Sequence, residues 1–163
     1  MVTLTKTIGS CSYVLGVTKA NLIKDSFTCM YLILSKYVNP NSPNKFWYPA
    51  FPEKAITDGG LNYPVGIIDS PTISWDAYTI ERVTIKCSMS ISVYATNAKD
   101  ADYYISEAIN AIDTERNELW IIGIRKVNLI TTGGDHIMHD QLKIHNRSAT
   151  FEFEYIANSG LYG

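Results

Sequence analysis

The sequence predicts one α+β domain over residues 1–163, built on a mostly antiparallel sheet of about four strands with two main helices packed on one face. Three segments carry that prediction. Over residues 83–93 every odd position is apolar (Val83, Ile85, Cys87, Met89, Ile91, Val93), and the even ones are Thr84, Lys86, Ser88, Ser90 and Ser92. That period of two marks a strand with one buried face. Ala101, Ile105, Ala108, Ile109 and Ile112 recur at helical spacing directly after it. Near the end, Ala149, Phe151, Phe153 and Tyr155 alternate with Thr150, Glu152 and Glu154, a second half-buried strand.

Taken in order, residues 1–17 mix β-branched residues, glycines and serines and are compatible with an arm or a short strand. From Thr18 the spacing of Ile23, Phe27, Met30 and Leu34 predicts a helix, stopped by Asn39-Pro40. A buried strand is the alternative, because residues 27–34 hold almost nothing polar. Residues 37–62 form a long loop, since no regular element is expected to survive their proline density. Four large aromatics in that loop, Phe46, Trp47, Tyr48 and Phe51, argue that it docks, either on its own core or on a partner. Tyr63-Pro64-Val65-Gly66-Ile67-Ile68 reads as a short strand beginning at an edge or bulge, because Pro64 cannot donate to a ladder. A turn region follows, and then the long strand, which at about 3.4 Å per residue spans roughly 35–40 Å, about twice the usual strand. The next helix has Asn97 or Thr96 as its N-cap, with Asp100 and Asp102 in the first turn where the helix dipole favours them. Residues 120–130 and 142–156 predict two closing strands. Thr132-Gly133-Gly134-Asp135 offers hairpin turn chemistry within a long tip over residues 131–141. The apolar parity shifts between Leu142/Ile144 and Ala149/Phe151, which predicts a bulge near residues 146–148.

A chain of 163 residues buries roughly 69% of its unfolded surface on folding, enough for a core. With 46% hydrophobic, 18% charged and 12% aromatic residues it is neither a disordered tail nor a low-complexity scaffold. A formal charge of −2 gives no general attraction for phosphate backbones or anionic lipid surfaces, so neither sequence-specific nucleic acid nor a membrane is an expected partner. The most apolar run is far shorter than the about 20 residues that cross a bilayer. No apolar stretch with a small-residue cleavage site opens the sequence, so the expected compartment is a cytoplasm. Asn146-Arg147-Ser148 matches a glycosylation acceptor but carries no weight without a secretory signal. Cys11, Cys29 and Cys87 are odd in number, widely spaced and free of any CxxC pair, as reduced structural thiols are.

Motifs for catalysis are sparse. There is no GxxxxGK[ST], no GxGxxG between strand and helix, and no GxSxG. No base neighbours Cys11 or Cys29 in sequence, Cys87 lies on the buried face of the long strand, and Glu152 and Glu154 share a strand face as a solvated or interface stripe does. His136, His139 and His145, flanked by Asp135 and Asp140, are the one constellation with metal-ligand chemistry. His136 and His139 fall at the hairpin tip, however, where a solvated or interface loop is expected in place of a rigid site. Arg125, Lys126, Lys143 and Arg147 gather on the two closing strands, as a salt-bridged face or a positive patch. No cofactor and no metal are therefore expected.

The succession YPVGIID, turn region, RVTIKCSMSISVYA, NAKDADYYISEAINAI and two strands ending in ATFEFEY resembles the tail terminator (tail completion) proteins of long-tailed bacteriophages and their relatives in the head-to-tail connector. The resemblance covers residues 63–156, and the helix near residues 18–36 also fits. It implies a non-enzymatic virion protein of the tail and neck, assembled in the host cytoplasm. Such a protein forms a ring with itself, typically a hexamer, which caps the tail tube protein and joins it to the head–tail connector proteins. In that reading Phe46, Trp47, Tyr48 and Phe51 anchor a subunit contact, and His136 and His139 belong to a partner-facing tip. Two alternatives stand beside it. One is another head–tail connector or minor tail protein, and the other a small metal-binding enzyme using His136, His139 and His145.

Overall fold

The alternation at residues 83–93 forms the central long strand of a mixed sheet, and everything else is arranged about it. The computed structural model describes residues 3–8, 11–16, 22–42, 45–50, 63–78, 82–121, 124–139 and 142–158. Their elements run β1 (Thr3–Ile8), β2 (Cys11–Gly16), α1 (Leu22–Tyr37), β3 (Trp47–Tyr48), β4 (Val65–Ile68), β5 (Thr72–Tyr78), β6 (Arg82–Ala95), α2 (Ala98–Thr114), α3 (Arg116–Ile121), β7 (Ile124–His139) and β8 (Leu142–Asn158). β1 and β2 make a two-stranded antiparallel sheet of their own. The main sheet has the order β3-β4-β6-β8-β7, with β5 also paired to β6. The α+β class stands, but among the described residues the sheet has six strands, is mixed because β3 runs parallel to β4, and is accompanied by three helices.

β6 and β8 pair without a register shift from Arg82↔Asn158 to Ala95↔His145. On one face the odd residues of both strands, Ile85, Cys87, Met89, Ile91, Val93, Ala149, Phe151 and Phe153, are buried together with Met30, Ile33 and Leu34 of α1 and Ile105, Ala108 and Ile112 of α2. Each such Val, Leu, Ile, Met or Phe side chain contributes about 1.5–3 kcal/mol by leaving water. Cys29 and Cys87 lie inside this core without a disulfide, and burial pushes the Cys87 thiol up to about 11, so it remains protonated and inert. The other face of β6 is half-buried and hydroxyl-rich, with Ser90 and Thr150 hydrogen-bonded across the strands at 2.8 Å.

α2 starts where the capping chemistry placed it, with Asn97 extended and its side chain accepting from the Lys99 amide at 2.9 Å. Its C-cap, Glu115, is buried and fastens α2 to the end of α1. Lys36 Nζ donates to its carboxylate at 2.8 Å, and the Tyr37 hydroxyl donates to the same oxygen. Burial alone works against the charged carboxyl, but the hydrogen bonds from Lys36 and Tyr37 and the charge of Lys36 outweigh it and hold Glu115 below its ordinary 4.5. A lowered carboxyl stabilises the fold above its unfolded value and loses that contribution as pH falls through the folded value. Glu115→Gln is therefore expected to melt below the wild type at pH 7, with the gap narrowing as pH is taken beneath 4.5. Thermal denaturation of both proteins across that range checks it.

Four local expectations are corrected. Residues 72–78, expected to be a turn region, form β5. Trp120 and Ile121, expected to open a strand, end the short helix α3, and the strand begins at Ile124. Gly133 and Gly134 are ladder residues opposite Ser148 and Arg147, so residues 131–139 are strand, with His139 opposite Leu142. The irregularities fall in β7, between Arg125 and Asn128 and between Leu129 and Thr131, with Lys126 at φ 50, while β8 has no bulge at residues 146–148. The parity change there reflects burial of Ile144, which lies beyond the last β6 partner at His145 and is covered on the opposite face from Ala149.

Candidate interface surface

The aromatic loop docks on its own domain. The Phe46 carbonyl accepts the Gly66 amide at 3.0 Å, and Trp47 and Tyr48 then pair with Gly66 and Ile67 as β3. Phe46 and Trp47 are each 1% exposed, meet edge to face with centroids 4.9 Å apart, and belong to the main core. The Trp47 indole N–H donates to the Val38 carbonyl at 2.9 Å, so its one polar atom is satisfied inside. A side chain this buried has no area left for a neighbour, which corrects the expectation that Phe46 and Trp47 anchor a subunit contact. The space for the indole comes from Gly66, where a Cβ would stand 2.4 Å from Trp47 Cε3 and 2.8 Å from Phe46 Cε1. Tyr48 is half-buried, with its hydroxyl donating to the Lys45 carbonyl at 3.1 Å and the Lys45 ammonium 5.0 Å from its ring. Phe51 lies outside the described residues.

The register brings two of the histidines together and sets the third apart. His136 pairs directly with His145, while His139 pairs with Leu142 at a position of opposite parity. The His136 amide donates to the Asp135 carboxylate at 2.7 Å, so this N–H points away from β8 toward the open edge of β7. His136 is exposed, and its Nδ1 lies 3.9 Å from Asp135 Oδ1. Among the described residues no group of three or more His, Cys, Asp or Glu is placed to hold a metal ion.

Of the four clustered cations, three are engaged. Arg147 bonds the Asp102 carboxylate at the start of α2, Lys126 pairs with Glu154 at 2.9 Å, and the Arg125 guanidinium covers the exposed Trp120 ring at 4.5 Å. Lys143 is exposed.

What the sequence reading missed is the end of the β7–β8 ribbon. β6 stops at Ala95↔His145, and beyond it, among the described residues, β7 and β8 pair only with each other, out to His139↔Leu142. This two-stranded extension carries Ile137, Met138 and Leu142 at 43%, 66% and 47% exposure. Leu129 and Ile130 are also exposed along β7, the open edge of the sheet. At the base of the ribbon a groove of about 580 Å³ runs between α2 and the sheet, lined by Ile105, Ser106 and Ile109 on the helix side and by Gly133, Gly134 and Arg147 on the ribbon side. The signal for the tip was the pair of aliphatics between His136 and His139, read as loop because two glycines preceded them.

Among the described residues no helix is long and apolar enough to cross a membrane. No family model matches the chain and no curated protein matches it.

Proposed function

We propose that the chain is a structural, non-enzymatic virion subunit of the tail terminator type, which assembles into a ring, caps the tail tube and joins it to the head connector. The observation that supports this reading best is the β7–β8 ribbon, which runs past the end of β6 and carries Ile137, Met138 and Leu142 exposed at its end. Large aliphatics left 43–66% exposed where the ribbon runs past β6 are what a contact surface presents. The mechanism is geometric. A rigid ribbon on a domain held by a continuous sheet fixes the angle between neighbouring subunits, and that angle sets the diameter of the ring.

Negative-stain electron microscopy of the purified protein at high concentration, with sedimentation velocity on the same sample, tests this. Closed rings of one size with a central opening are expected, six subunits in each, and they are expected to decorate one end of isolated tail tubes. A single species of monomer mass at every concentration, with no binding to tubes, would overturn the reading.

A further inference from the structure

We propose that the cavity between the end of α1 and the middle of α2 binds an alkylguanidinium cation, the head group of arginine. The inference is independent of the ring reading. The cavity, of about 410 Å³, is lined by Tyr37, Asn39 and Pro40 at the end of α1 and by Tyr103, Tyr104 and Glu107 on α2. Tyr103 and Tyr104 precede Glu107 by four and three residues, so helical spacing puts all three on one side of α2. The two rings meet edge to face with centroids 5.2 Å apart.

Three features favour a positive charge there. Glu107 is half-buried, and among the described residues no cation pairs with it and none lines the cavity. α1 ends at Tyr37, so the negative pole of its dipole lies beside the cavity. Tyrosine rings attract cations through their electron-rich faces. The same side of α2 shows what these groups do when a cation is within reach. Glu115 lies about 12 Å further along the helix at 1.5 Å per residue. There Lys36 bonds the carboxylate at 2.8 Å while its ammonium stands 4.5 Å from the centroid of the Tyr37 ring. The Glu107 cavity repeats the carboxylate and the rings without the cation, and Lys36 is already committed to Glu115 and to the Tyr37 hydroxyl.

The site suits guanidinium better than ammonium. Tyr103 is 58% exposed, so the cavity is wet, and a guanidinium gives up less hydration than an ammonium, stacks flat on an aromatic ring and presents a planar fork to a carboxylate. The Arg125 guanidinium already makes the stacking half of such a contact on the exposed Trp120 ring.

Ethylguanidinium chloride, titrated into the full chain carrying isotope-labelled tyrosine rings, tests the site against ethylurea, its neutral isostere, at constant ionic strength. In NMR spectra the assigned ring signals of Tyr37, Tyr103 and Tyr104 should shift to saturation with ethylguanidinium and stay in place with ethylurea. Glu107→Gln keeps the size of the side chain and removes its charge, and should weaken binding about tenfold, the loss of one hydrogen bond to a charged group. Tyr103→Leu should weaken it about threefold. Both positions are partly or largely exposed, so each variant should keep the wild-type melting curve. Two sources carry this head group, and the titration separates them. An arginine of a polypeptide is the ligand if N-acetyl-arginine N-methylamide binds as tightly as free arginine, and a small molecule is the ligand if free arginine binds the more tightly. The proposal is overturned if ethylurea moves the same signals equally, if Glu107→Gln binds ethylguanidinium as the wild type does, or if the three ring signals stay in place up to the solubility limit of the probe.

Discussion

Trp47→Ala should lower the stability of the folded monomer by about 3–5 kcal/mol, the range for deleting a large aromatic from a packed core. The indole is 1% exposed, packed on Phe46 and bonded to the Val38 carbonyl, so the variant loses the ring contacts and leaves that acceptor without its donor. Urea denaturation followed by circular dichroism measures the loss. If Trp47 were an assembly anchor, the substitution would spare the urea midpoint of the monomer and abolish rings instead. An unchanged midpoint would therefore contradict the core placement.

The second large effect belongs to the residue beneath it. Gly66→Val should cost about 3 kcal/mol or more, because even the first carbon of the side chain would stand 2.4 Å from Trp47 Cε3 and 2.6 Å from Cζ3. The strand has no freedom to retreat, since Gly66 is bonded to Phe46 on one side and paired with Val93 on the other. The two substitutions should couple. With the indole removed, the two shortest of the clashes disappear and the one with Phe46 Cε1 at 2.8 Å remains, so the double variant Trp47→Ala/Gly66→Val should be less destabilised than the two losses added together. Strict additivity in the same urea experiment would mean that the clash is not what makes Gly66 necessary. Gly133→Ala is the control, as its new carbon would meet only the Ser148 hydroxyl at 3.3 Å.

These two residues also mark how far the sequence can be read. β6 and α2 were legible because their apolar residues follow one period over the whole element and the pattern survives whatever packs on them. The alternation in β5 is equally present, with Ile73, Trp75 and Ala77 set against Thr72, Ser74 and Asp76, but it is short and follows Asp69-Ser70-Pro71, whose residue types are those of turns. The role of Trp47 was not legible. Whether an aromatic in a proline-rich loop points inward depends on a hole made by a glycine 19 residues later, and spacing within the loop has no information about that. Gly133-Gly134 failed for a similar reason. Glycine is turn chemistry read alone, but here the Arg147 side chain crosses from the opposite strand, where a Cβ on Gly134 would lie 2.6 Å from its guanidinium. The candidate surface inherited that error, since a ribbon mistaken for a loop hides which aliphatics its tip exposes.

The placement of β8 has a consequence for how the subunit is made. β8 is the last of the sheet strands in the chain, yet it sits between β6 and β7 and bonds to both. While the polypeptide is still being synthesised, β6 and β7 have no common neighbour, and the face that α1 and α2 cover cannot be completed until Asn158 has left the ribosome. Folding is therefore held back until translation of this region is finished. Half-made chains on a polysome present no finished ribbon, and so have nothing with which to join one another.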